Sequence, residues 1–325
     1  MKVYFIAISL VFVLFSCSDE KPTNEKSKST SPEKVVTTPI FNADSAYHFI
    51  EKQVAFGPRV PNSAAHKACG DYLVTKLKSY GASVYQQKAT LTAYTKEKLA
   101  CRNIIAAFNP SATRRILLCA HWDTRPFSDQ DKLDKKTPVL GANDGGSGVA
   151  VLLEIARGMS KSTPNIGVDI ILFDCEDYGD SGPTATQNSY CLGSQHWAKN
   201  PPVKGYAPSY GILLDMVGAK GAQFPREGTS MKYAPSIVKK VWDKGNQLGY
   251  GDYFVYRQDN GITDDHLYIN AIANIPTIDI IEYDSQKNKS GFGEYWHTQQ
   301  DNMDVISKET LNAVGHTVTE VIYNE

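Results

Sequence analysis

The stretches RRILLCAHWDT (residues 114–124) and VDIILFDCED (168–177) decide the fold. Each is a short, nearly unbroken apolar run that closes on ionisable residues. Runs of this length bounded by polar groups read as strands buried on both faces, the kind that parallel sheets use. YGILLDMVG (210–218) and IPTIDIIEYD (275–284) repeat the pattern, and ASVYQQKATLTAY (82–94), ACRNIIAAF (100–108) and FVYRQD (254–259) add further strands. Helical spacing fills the gaps: Val149, Leu152, Leu153 and Ala156, then the amphipathic MKYAPSIVKKVWDKGNQLG (231–249), then Leu311, Val314, Val318 and Val321. Two helices come first, one with Tyr47, Ile50 and Val54 after Asp44, the other with Ala65, Cys69, Tyr72 and Leu77 before Gly81. Strands alternating with helices predict an α/β fold: an open, mostly parallel central sheet flanked by helices on both faces.

Composition narrows the function. The 325 residues carry 34 Lys+Arg against 35 Asp+Glu, so no basic excess offers nucleic acid a footprint. From 41 to 325 there is no second linker, low-complexity tract or repeat, so this stretch is expected to be a single domain. Ahead of it, Lys2 and the apolar run Val3 to Phe15 form a secretory h-region too short to span a bilayer, ending in Leu14-Phe15-Ser16-Cys17. That ending resembles a bacterial lipobox. Residues 1–17 are therefore expected to be a lipoprotein signal with acylated Cys17, and the polar, proline-bearing residues 18–40 a flexible tether. The protein is expected to be exported and lipid-anchored in the bacterial envelope, in the periplasm or outer membrane. Cys69, Cys101, Cys119, Cys175 and Cys191 remain, with no C-x-x-C pair, which excludes a zinc knuckle.

Four strands end in ionisable clusters: His121-Trp122-Asp123, Asp174 to Asp177, Asp215, and Glu282-Tyr283-Asp284. In open α/β sheets ligands bind beyond those strand ends. Gly141-Ala142-Asn143-Asp144-Gly145-Gly146-Ser147-Gly148 precedes a helix but lacks the residues of a phosphate cradle. Taken alone, Asp144 reads as a helix N-cap and His297 as a surface histidine. Adjacent acids at the end of a buried strand, Glu176 and Asp177, would be costly unless one binds a metal and the other carries a proton. Asp144, Asp177 and His297 together would make a nitrogen and oxygen ligand set with one open position, as in catalytic zinc.

The ordered series HWD (121–123), GANDGGSG (141–148), FDCED (173–177), LLDMVG (213–218), TDDH (263–266) and YWHTQQDN (295–302) resembles the zinc exopeptidase-like superfamily. Within it the chain is most similar to the bacterial glutaminyl cyclases. The resemblance implies a zinc aminopeptidase-like fold and one Zn2+ per chain on Asp144, Asp177 and His297. It implies Glu176 as acid/base, Asp215 and Asp264 as a hydrogen-bonded carboxyl pair, and Trp296 and Phe292 as pocket wall. The reaction implied is cyclisation of N-terminal glutamine of peptides and proteins to pyroglutamate with release of ammonia, by a monomer. The alternative is a two-zinc aminopeptidase, for which His121 and Asp215 stand as further ligands. Animal members carry a disulfide beside the first metal strand; no cysteine pair stands at the matching positions here.

Overall fold

A computed structural model describes residue 1 and residues 36–182 and 186–325. The expected signal segment with Cys17 and the expected tether up to residue 35 lie outside the described residues. The strands are β1 (Ser83–Thr92), β2 (Lys98–Phe108), β3 (Arg115–His121), β4 (Gly167–Phe173), β5 (Gly211–Asp215), β6 (Phe224–Arg226), β7 (Phe254–Gln258) and β8 (Thr277–Ile281). The helices are α1 (Ala43–Val54), α2 (Ala64–Ser79), α3 (Gly146–Lys161), α4 (Leu192–Lys199), α5 (Gly228–Tyr233), α6 (Pro235–Gln247), α7 (Asp265–Ala273) and α8 (Lys308–Tyr323). Six strands form one sheet in the order β1-β2-β4-β3-β5-β8. β4, β3, β5 and β8 pair in parallel, and β2 is antiparallel to both of its neighbours, so it alone runs against the rest.

The apolar runs explain the two-sided burial. Along β3, Ile116, Leu118 and Ala120 enter the larger core, together with residues of α1, α2, α3, α6 and α8. Leu117 and Cys119 point the other way and pack with Trp197 and Ala198 of α4 and Ile269 of α7. Each fully buried Leu or Ile contributes about 2 kcal/mol, so the strand stabilises the fold from both faces. A one-residue slip would exchange the faces, and continuous apolarity is the pattern that satisfies both.

The chain leaves β3 for β4 on one side and later returns to place β5 on the other. This reversal brings the carboxyl ends of β3, β4, β5 and β8 together as a switch point, where such sheets bind ligands. Helix α3 approaches β5 so closely that a Cβ on Gly148 would lie 2.1 Å from the Leu214 carbonyl oxygen. FVYRQD forms a strand, but not in the central sheet: β7 pairs in parallel with β6 as a separate two-stranded sheet. Its alternating exposure explains this, since a strand with polar Arg257 and Gln258 cannot be buried on two faces. Cys69, Cys101, Cys119, Cys175 and Cys191 are all free and buried. Among the described residues no helix is long and apolar enough to cross a membrane.

Candidate metal centre and active site

The loop after β3 and the start of α3 bring the first carboxylate into place. Gly145, at φ +29°, takes the N-cap position of α3 and makes no side-chain cap, so Asp144 is not the cap that its place before a helix allowed. Its oxygens are directed elsewhere: Oδ1 lies 3.0 Å from His121 Nε2, and Oδ2 lies 3.7 Å from His297 Nε2. The turn is instead held from outside by Asp301, whose carboxylate accepts from the backbone N–H of Asn143 at 2.8 Å and of Asp144 at 3.1 Å. Arg59, fully buried, donates to the carbonyls of Gly141 and Leu140.

The loop after β4 supplies the adjacent acids. Asp123 accepts from the N–H of Glu176 at 3.0 Å and of Asp177 at 3.2 Å, which ties the end of β4 to the end of β3. Asp177 Oδ1 then lies 3.1 Å from His297 Nε2, while its Oδ2 is buried with no hydrogen-bond partner. Asp144, Asp177 and His297 thus converge, with one ligand atom of each within 4.8 Å of the others, and all three are buried. An unpartnered carboxylate oxygen beside a second carboxylate and an imidazole costs free energy unless a cation shares the site. The donor set fits zinc, with two carboxylates and one imidazole.

His297 itself has φ +55°, a left-handed backbone, and Cys175, Met216 and Cys191 near the same strand ends are left-handed too. Strain of this kind persists where surrounding structure over-determines it and gathers at functional sites. The His297 ring stacks on Trp296 with centroids 3.7 Å apart, and its Nδ1 faces Asp129 Oδ1 at 3.3 Å. Burial would lower the His297 pKa, but Asp177 and Asp129 outweigh it and raise it to about 9. Burial would likewise raise Asp129, but His297 and Arg125 hold it well below the ordinary carboxylate range. Arg125 is the hub behind both ligands. It donates to Asp129 at 2.9 Å and to the carbonyls of Asp177 at 2.9 Å and Gly179 at 2.8 Å.

A cavity of about 390 Å³ opens over this set. Asp144, Asp177, His297, Glu176, Asp215 and Asp264 line its floor, and Trp296, Phe292 and Tyr283 form an aromatic wall with successive centroids 4.7 and 5.2 Å apart. Burial, with Asp177, Asp264 and Asp265 adding and His121 opposing, raises the Glu176 carboxyl well above its ordinary value. The Cys191 thiol lies 3.1 Å from Glu176 Oε1. Burial, reinforced by Asp144 and Asp264 against His121, raises Asp215 to about 7. Asp215 and Asp264 act on each other through charge, but their direct contacts differ. Asp215 Oδ1 meets His121 Nε2 at 3.2 Å, whereas Asp264 lies beside His266 and Asp279 of β8, with one ligand atom of each within 4.8 Å of the others. Asp264 adds to the rise of Asp215, and both add to that of Asp279, so the expected pair sits within a wider group of acids. His121, Asp144 and Asp215 also converge within 4.8 Å, as a second metal would require.

A family model for peptidase family M28 matches residues 103–322. The chain belongs to peptidase family M28. Among solved structures it resembles a Zn-dependent exopeptidase from Parabacteroides distasonis, at 57% identity and a TM-score of 0.87 over 89% of this chain and 100% of that one. It also resembles the glutaminyl cyclase of Tannerella forsythia, at 54% identity and a TM-score of 0.84 over 88% of this chain and all of that one. Aminopeptidase YwaD of Bacillus subtilis is 27% identical over 82% of this chain, and the match spans 54% of its own length, about half of it.

Within this M28 domain every residue singled out from the sequence lies at the switch point: the three metal candidates, His121, Glu176, Asp215, Asp264, Trp296 and Phe292. Sequence reasoning missed the residues that hold them. Asp123 and Asp301 stood inside quoted motifs, but nothing local revealed that their oxygens serve backbone N–H groups 53 to 158 residues away. Arg125, Asp129 and Cys191 carried no signal beyond their closeness to those motifs.

Proposed function

We propose that this M28 protein is a zinc-dependent glutaminyl-peptide cyclotransferase with one metal per chain. The observation that carries this reading is the state of the second metal position. His121 lies between Asp144 and Asp215, at 3.0 and 3.2 Å, and these acids with Asp123 overcome burial to raise its pKa well above the ordinary value. His121 Nε2 also accepts from the Gly145 backbone N–H at 3.2 Å, so the lone pair that a second zinc would need there is already engaged. Asp264 and Asp279 crowd behind Asp215 and compete for its role.

Asp144, Asp177 and His297 would hold the zinc, and a bound zinc would supply Lewis acidity toward the side-chain amide oxygen of an N-terminal glutamine. The remaining work falls to the chain. The aromatic wall of Trp296, Phe292 and Tyr283 confines the glutamine side chain so that its carbonyl carbon meets its own α-amine, and this intramolecular approach lowers the barrier mainly through orientation. Glu176 takes a proton from the attacking amine and returns it to the amide nitrogen as the new C–N bond forms and ammonia leaves. Its raised pKa suits a group that must both accept and give. Asp215, titrating near 7, and Asp264 orient the departing amide by accepting from it or donating to it.

The test is to offer the purified protein a glutaminyl peptide and an aminoacyl chromogenic amide, following ammonia and free amine separately. Ammonia with an uncleaved, cyclised peptide is expected. A shortened peptide with two zincs required per chain would replace this reading by the aminopeptidase. Asp215→Asn and Asp264→Asn should each lower turnover more than zinc content. Loss of metal on changing Asp215 alone would again favour two zincs.

The substrates we infer are N-terminal glutamines of peptides and proteins, met by a monomer anchored in the envelope through acylated Cys17, in the periplasm or outer membrane. The apolar run ending at Cys17 and the polar tract after it support this. Cys17→Ala should release active enzyme into the soluble fraction with unchanged kinetics. A wild-type protein already soluble, with a mature N-terminus other than acylated Cys17, would remove the anchor.

A further inference from the structure

Cys191 occupies the N-cap position of α4, yet its side chain caps nothing. Its φ is +56°, a conformation in which glycine is favoured and a side chain is strained. The side chain is committed to Glu176. Cys191 Sγ lies 3.1 Å from Glu176 Oε1, and the Cys191 backbone N–H donates to the Glu176 carbonyl at 2.8 Å. Leu192 N–H adds a bond to the Cys175 carbonyl at 3.0 Å, so the start of α4 is laid along the turn that carries the acid. The thiol is fully buried and does not line the cavity, whereas Glu176 does.

We propose that Cys191 is a positioning residue for Glu176. Its S–H donates to Glu176 Oε1 and holds the carboxyl in one rotamer, leaving Oε2 as the oxygen that meets the substrate amine. The thiol forms no bond to substrate and gives up no proton. Glu176 and Asp264 lie with Cys191 in one group, one ligand atom of each within 4.8 Å of the others, so a Glu176 side chain released by the thiol would swing against a second carboxyl. The proposal rests on Glu176 as the proton carrier, a role it has in cyclisation and in peptide hydrolysis alike.

Three variants test it. Cys191→Ala should lower kcat by about tenfold to a hundredfold, the range for one hydrogen bond to a charged group, with KM and zinc content unchanged. Cys191→Ser restores a donor and should recover most of kcat. Cys191→Gly should raise Tm by relieving the left-handed backbone while its kcat falls with that of the alanine variant, a divergence that a purely structural role would not produce. Wild-type kcat in the alanine and glycine variants, or a fall in all three that tracks lost zinc or lowered Tm, would overturn the proposal. Kinetics are scored on whichever substrate the wild type turns over, so a wild type that releases no ammonia refutes the cyclase reading without touching this one. A crystal structure of Cys191→Gly should show the Glu176 carboxylate displaced or in two rotamers; an unmoved carboxylate refutes the positioning role whatever the kinetics.

Discussion

Two groups of side chains at the switch point share Asp144 and use the same donor types, yet they are built to different ends. Asp144, Asp177 and His297 face the cavity, and Asp177 keeps a buried oxygen without a partner. His121, Asp144 and Asp215 lie side by side with them, but His121 does not line the cavity, and its Nε2 is already set against both carboxylates. In the first group an electron pair is left over for a cation. In the second, the His121 Nε2 lone pair already accepts from the Gly145 N–H at 3.2 Å. Residue types alone therefore do not make a metal site; the count of unspent lone pairs does.

The strongest way to break this comparison is to remove one imidazole. His297→Ala should lose its zinc and lower turnover by a thousandfold or more, about 4 kcal/mol of barrier, as measured by elemental analysis and ammonia release. Retention of zinc by His297→Ala, with loss in His121→Ala, would invert the assignment of the two groups. Next in size is Glu176→Gln, which keeps shape and removes the transferable proton. We expect full zinc content and a fall in kcat of about a hundredfold to ten-thousandfold. Near-normal turnover would move the proton shuttle to Asp264.

Asp129→Asn sharpens the comparison from behind the ligands. His297 should lose its orienting carboxylate, and zinc affinity should drop about tenfold to a hundredfold in competition with a chromophoric chelator. An unchanged affinity would mean that Trp296 stacking alone holds the ring. The smallest effect is a pH dependence. With the metal-free His297 pKa at about 9, a cation must displace a proton below that pH, so affinity should climb as pH rises toward 9, by up to about tenfold per unit. Over the same range zinc content should stay at one per chain. A flat affinity between about pH 6 and 8, or a second zinc loading there, would erase the difference between the two groups.

Legibility followed the range of the interactions. Strand ends at His121, Glu176 and Asp215 could be read because an apolar run and its polar terminus are contiguous, and the structure places all of them at one rim. FVYRQD was legible as a strand but not as a member of a second sheet, because pairing partners are not written in a strand's own residues. Asp144 reads as a cap from its place before a helix, but Gly145 takes that position, Asp301, 157 positions away, accepts from the Asp144 N–H, and the Asp144 carboxylate faces His121 and His297. Asp264 similarly finds Asp279 through the packing of α7 on β8.

By itself the sequence determined the α/β class, the near-continuous burial of the central strands, the helices between them, and which residue types stand at the strand ends. These follow from local periodicity and from the cost of burying unpaired charge. Only the tertiary structure decided that Asp123 and Asp301 hold the metal-bearing loops, that Arg125 and Asp129 stand behind His297, and that Cys191 reaches Glu176. Those contacts join loops from different strands, and their geometry is set by how far each strand and helix slides when the cores on both sides of the sheet close, a quantity that no short window of residues contains.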